Sequence, residues 1–154
     1  MVLSAGLLLY RVRVSALEVY LAHMGGPFWA RKDDGAWSLP KGEYTADEAA
    51  LAAALREFEE EIGVPAPPGP YTELGEFRQP SGKRITAFAL ESDFHVDEVR
   101  SNTFTVELPK GSGRMVEFPE IDRAEWFTLD VARVKLVKGQ VPILDALEAL
   151  RSSS

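Results

Sequence analysis

The stretch Arg56-Glu57-Phe58-Glu59-Glu60-Glu61-Ile62-Gly63 sets four carboxylates inside five residues. Like charges three or four residues apart weaken a helix unless something positive sits among them. At about 100° per residue, with Glu57 at 0°, Glu60 and Glu61 fall at roughly −60° and 40° and flank it, while Glu59 turns to roughly 200° and faces water. Ala49, Ala50 and Ala53 lie above this patch toward the helix start and project little, which is expected to leave room for a ligand. Arg56 stands beside Glu57 and four residues before Glu60, so it can pair with either and hold a carboxylate in one rotamer. An ordinary solvated acidic face interleaves lysines, and this helix has none. Carboxylate oxygens with space for water and phosphate oxygens are what Mg²⁺ prefers, so the pattern predicts a divalent metal site.

Other chemistry finds little support. His23 and His95 are isolated, and neither a GxSxG nor a GxxxxGK[ST] pattern occurs. GSGRMV fails the dinucleotide pattern at its third glycine. With no cysteine, thiolate zinc sites, disulfides and cysteine nucleophiles are all excluded, which suits a reducing, cytoplasmic setting. An excess of 24 acidic over 17 basic residues argues against duplex nucleic acid as a partner.

The helix that carries the carboxylates is expected near Thr45 to Ile62. Thr45 and Glu48 have capping-box spacing, and Gly63 supplies the stop. Its buried arc, at roughly 60° to 160°, holds Leu51, Ala54, Leu55, Phe58 and Ile62. Before it, the runs Gly6 to Val14 and Leu17 to Met24 alternate like a hairpin. GGPFWARKDDGAW comes next as a loop, whose Phe28, Trp29 and Trp37 either pack inward or meet a ligand. After the helix, PAPPGP breaks the chain, and YTELGEFRQ and RITAFALES read as two strands around a PSGK turn. Asp97 to Pro119 is expected to hold a loop at PKGSG and is otherwise without a clear pattern. DRAEWFTL reads as a last strand and VPILDALEALR as an amphipathic helix.

This order predicts a mixed sheet with helices packed against it, an α/β or α+β sandwich. At 154 residues and 45% hydrophobic, residues 1–154 are expected to form a single domain. The opening segment alternates and carries Arg11 and Arg13, so it is read as neither a signal peptide nor a membrane span.

Gly42, five residues, Glu48, seven residues, Arg56-Glu57-Phe58, one residue, Glu60-Glu61, one residue, Gly63-Val64 resembles the 23-residue signature of the Nudix hydrolases. Phe58 stands where that family usually has an aliphatic residue, which implies a slightly different packing of helix on sheet. The resemblance implies the family's α/β/α sandwich and hydrolysis of a nucleoside diphosphate linked to another moiety, with water attacking a phosphorus. By the same resemblance Glu57, Glu60 and Glu61 are the Mg²⁺ or Mn²⁺ ligands, joined by the Lys41 carbonyl. Arg56 orients Glu57, Glu48 supports the metal or the loop, and Gly42 lets the loop bend tightly. The general base is Glu57 or, as in some members, a glutamate of a later loop, here Glu117 or Glu120.

SLPKGE before the signature is similar to members that cleave dinucleoside polyphosphates, and there Lys41 would meet phosphate. Pro80-Ser-Gly, sixteen residues beyond, is similar to the marker of the ADP-ribose pyrophosphatases. That reading ranks second because the extra strands many of those enzymes use to dimerise are lacking. Nucleoside triphosphates rank third. Phe28, Trp29 and Trp37 could stack a base in each case. A domain that binds nucleotide without cleaving it is the non-enzyme alternative, and monomer and homodimer both stay open.

Overall fold

The run Leu7-Leu8-Leu9 is apolar at every position, as a strand covered on both faces requires. In the computed structural model, which describes residues 2–152, it forms the middle of the first strand. The elements are β1 (Leu3–Arg13), β2 (Ala16–Met24), β3 (Trp37–Ser38), β4 (Lys41–Tyr44), α1 (Ala50–Ile62), β5 (Thr72–Arg78), β6 (Arg84–Glu91), β7 (Thr103–Glu107), β8 (Met115–Pro119), β9 (Ile121–Thr128), α2 (Leu129–Lys135) and α3 (Val141–Ser152). A 3-10 turn, Lys138–Gln140, separates the last two helices. No helix among the described residues is long and apolar enough to cross a membrane.

Side chains alternate across the sheet with the period of two that a strand imposes. Leu7 and Leu9 of β1, with Tyr20 and Ala22 of β2, meet Ala53, Ala54, Phe58 and Ile62 of α1. Leu8, Val19 and Leu21 point the other way and meet Ala132 of α2 and Ile143, Leu144 and Leu147 of α3. The result is the expected α/β/α sandwich on a mixed sheet.

Its topology makes the site. β1 runs parallel to β6 along one edge from Leu3 to Tyr10. On the other edge β1 pairs with β2 only from Tyr10 to Arg13, and with β4 from Leu3 to Gly6. β2 holds β9 along its outer edge and pairs with β3 at Ala22 and His23. β1 and β2 therefore splay apart, and β3 and β4 fill the fork. This places Lys41 and Gly42 under α1.

Several expectations need correction. α1 begins at Ala50, not near Thr45, and its first residue has no side-chain cap. The Thr45 hydroxyl bonds Asp47, and the Glu48 carboxylate accepts two hydrogen bonds from Arg56, so neither member of the supposed capping box reaches a backbone N–H. Ala53 is fully buried against β1 rather than clearing space for a ligand, so its smallness lets helix and sheet approach. β3, β4 and the seven-residue α2 are additions to the expected order of elements. Within Asp97 to Pro119 the chain folds β7 and β8 into a hairpin that pairs with no other strand.

Candidate active site

Three carboxylates of α1 and one from the loop before β9 converge on a cavity of about 340 Å³ lined by Lys41, Gly42, Glu43, Glu57, Glu60, Glu61, Asn102 and Glu120. Gly42 is required for this. A Cβ built there would stand 1.9 Å from Glu57 Oε2, so any side chain at position 42 evicts the carboxylate.

Arg56 is the hub of the outer carboxylates. Its guanidinium donates to Glu48 Oε1 at 2.8 Å, Glu57 Oε1 at 2.8 Å and Glu60 Oε2 at 3.4 Å. The Glu48 carboxyl is held below its ordinary range by this contact, and the Arg56 guanidinium is pushed up. Glu57 is displaced upward, chiefly by burial; Arg56 opposes this and the nearby Glu60 adds to it. Part of the positive charge that the crowded glutamates require thus comes from the protein itself.

Glu61 is different. Only 6% exposed, it accepts a hydrogen bond from the Lys41 backbone N–H at 3.0 Å. Burial pushes its carboxyl up to about 7; the charge and N–H of Lys41 oppose this, and Glu120 and Glu57 add to it.

A short run of backbone, 100 to 102, holds the two sources of carboxylate together. The N–H groups of Arg100 and Asn102 donate to the carbonyls of Ile62 and Glu60, each at 2.9 Å, and the Asn102 carbonyl accepts from the Glu120 N–H at 2.9 Å. Ser101 Oγ accepts from the Ile121 N–H at 3.0 Å. Gly63, in the left-handed conformation at φ 97°, lets this run approach, since a Cβ there would lie 2.6 Å from the Arg100 carbonyl oxygen. Asn102 and its neighbours give no signal in the sequence, because their role lies in long-range backbone pairing.

The other candidates separate clearly. Glu120 lines the carboxylate cavity, whereas Glu117 is exposed on β8 opposite Thr105 and lines neither that cavity nor the two beside it. Trp37 is 1% exposed, donates Nε1–H to Asp33 and stacks edge-on to Phe127, so the base-stacking expectation fails for it. Phe28 is 67% exposed, with the Lys32 ammonium over its ring and its edge packed on Trp29, and lines none of these cavities itself. Trp29 lines two of them. One, about 310 Å³, is walled by Met24, Trp29, Phe104 and Ile121 and shares Lys41, Glu61 and Glu120 with the carboxylate cavity. The other, about 200 Å³, contains Trp29, Lys41, Glu43, Gln79, Lys83 and Gln140. His23 is fully buried between Asp122 and the Lys32 carbonyl and takes no part. Phe58 packs edge-on to Phe94 beneath α1.

The donor set suits a hard divalent cation. Glu57, Glu60, Glu61 and Glu120 offer only oxygen, and Glu61 is buried with no side-chain cation bonded to it. As they stand, no three acidic or imidazole side chains among the described residues are close enough together to hold a metal ion.

The NUDIX domain model matches residues 3–147, and the chain belongs to the Nudix family as a hydrolase acting on phosphoanhydrides. A Caenorhabditis elegans Ap4A hydrolase binary complex is similar in fold, with TM-score 0.63 and 20% identity over all of both chains. The NUDIX domain of Shewanella oneidensis NrtR, complexed with ADP ribose, has TM-score 0.66 and 16% identity over 98% of this chain and 88% of that one. The Escherichia coli ORF135 protein has TM-score 0.57 and 22% identity over 99% and 94%. No curated protein sequence matches significantly.

Proposed function

We propose that the protein is a Mg²⁺- or Mn²⁺-dependent pyrophosphohydrolase whose substrate extends to both sides of the scissile anhydride, with dinucleoside polyphosphates such as diadenosine tetraphosphate the best fit. The observation that supports this is the arrangement of cavities: the carboxylate cavity adjoins two others, and Lys41 lines all three. A nucleoside triphosphate, with one nucleoside, would occupy only one of the two neighbouring cavities. ADP-ribose ranks second, because it too has two ends, and an ADP-ribose complex is among the similar folds.

Glu57, Glu60 and Glu61 would hold the metal with the Lys41 carbonyl, and Glu120 stands across from them. When bound, the divalent ion neutralises phosphate oxygens and makes water more acidic. Glu57 accepts the proton of the attacking water as its oxygen bonds to phosphorus. The anhydride P–O bond breaks, and the leaving phosphate carries away the bonding pair. Arg56 keeps Glu57 in the rotamer that faces the cavity. Trp29, with Phe104 opposite, offers flat apolar surface to a base.

We further place the protein as a single domain in the cytoplasm, acting on small nucleotides. Nucleotide and phosphate release with Mg²⁺, across diadenosine polyphosphates, ADP-ribose and nucleoside triphosphates, tests the reading. Dinucleoside polyphosphates should show the highest kcat/KM. No release from any compound, with tight binding of one, would instead establish a nucleotide receptor.

A further inference from the structure

The two cavities beside the carboxylates are not equivalent in charge. The one toward β7 offers an extra phosphate only Lys41, already shared, and beyond it the carboxylates Glu61 and Glu120. The one toward the β5–β6 turn offers two ammonium groups, Lys41 and Lys83, and a single carboxylate, Glu43. A polyphosphate chain longer than the metal ions can neutralise therefore runs toward Lys83, because every anionic oxygen excluded from water needs a positive partner.

Lys83 stands on a firm base. Its carbonyl accepts from the Gln79 N–H at 2.8 Å, and the Gly82 N–H donates to the Gln79 carbonyl at 2.9 Å, which closes the turn. The turn also packs on the 3-10 turn. A Cβ at Gly139 would lie 3.0 Å from Pro80 Cδ and 3.2 Å from Gln79 Cγ. Lys83 Nζ lies 3.5 Å from Glu43 Oε2, an open pair between half-exposed groups that an arriving phosphate can replace at little cost. Gln79 lines the same cavity and offers an amide to a nucleoside beyond the phosphate.

We propose that this cavity is the subsite for the distal phosphates and second nucleoside of a dinucleoside polyphosphate, and that Lys83 is its specificity-determining residue. Glu43 holds Lys83 in place until the substrate arrives. The subsite rests on the proposed two-ended substrate.

The test compares kcat/KM for diadenosine tetraphosphate with that for ATP in wild type, Lys83→Gln and Glu43→Gln, with thermal melts to confirm folding. Lys83→Gln should lower the ratio about tenfold, through KM, the loss of one charge-assisted contact. Glu43→Gln, which frees Lys83, should lower KM for the dinucleotide. An unchanged ratio in Lys83→Gln, or an equal fall on both substrates, overturns the subsite. Wild-type enzyme that cleaves ATP or ADP-ribose but no dinucleoside polyphosphate overturns the proposed substrate itself, a result distinct from failure of the variants.

Discussion

Glu48, Glu57 and Glu60 share one guanidinium, whereas Glu61, a single residue beyond Glu60, has a backbone N–H and no bonded side-chain cation. Glu48 and Glu60 are the more exposed of these carboxylates, whereas Glu57 lies against Gly42 and Glu61 against Lys41 at the strand fork. The difference separates two ways of tolerating crowded carboxylates. The outer group is neutralised by the protein and can be lent to a metal. Burial pushes the Glu61 carboxyl up to about 7, so below that pH it tolerates its neighbours by holding a proton.

Experiments that break this comparison can be ranked by size. Glu57→Gln should lower kcat by about 10²- to 10⁴-fold while leaving the melting temperature near wild type. Near-normal turnover would transfer the base to Glu120. Glu61 should make stability pH-dependent in the presence of a chelator. Its carboxyl stays protonated in the fold up to about 7 and ionises at about 4.5 when unfolded. Between those values the native state binds more protons, so stability is greatest below 4.5 and falls as pH rises through 7, by on the order of 3 kcal/mol. Denaturant midpoints across that range should flatten in Glu61→Gln and on adding Mg²⁺, and an equal slope in that variant would contradict the assignment.

Arg56→Ala should cost about 10- to 100-fold in kcat/KM by releasing three carboxylates at once. Arg56→Lys should restore only part, since an ammonium cannot reproduce the planar fork. Glu59→Gln should change stability by no more than about 0.5 kcal/mol and leave turnover as it was. A marked loss there would mean that the outward face of α1 also contacts substrate.

The spacing of Glu57, Glu60 and Glu61 was legible because it arises from helix geometry alone, and both the sandwich and the family were implied by the same stretch. What local pattern could not supply was the tertiary choice. Ala53 looks the same whether it faces a ligand or β1. Trp29 and Trp37 are alike as residues, and only the pairing of β3 with β2 buries the second. The capping-box spacing at Thr45 and Glu48 was real, yet an arginine eight residues beyond Glu48 competes better for its carboxylate. β7 and β8 pair only with each other and lack the apolar run that marks a core strand.

The contact between Gly42 and Glu57 leaves no room for even one methyl group. A single alanine at position 42 would therefore push the Glu57 carboxylate aside while keeping every carboxylate and the net charge of −7. In evolutionary terms, one carbon atom is enough to move a carboxylate within the cavity.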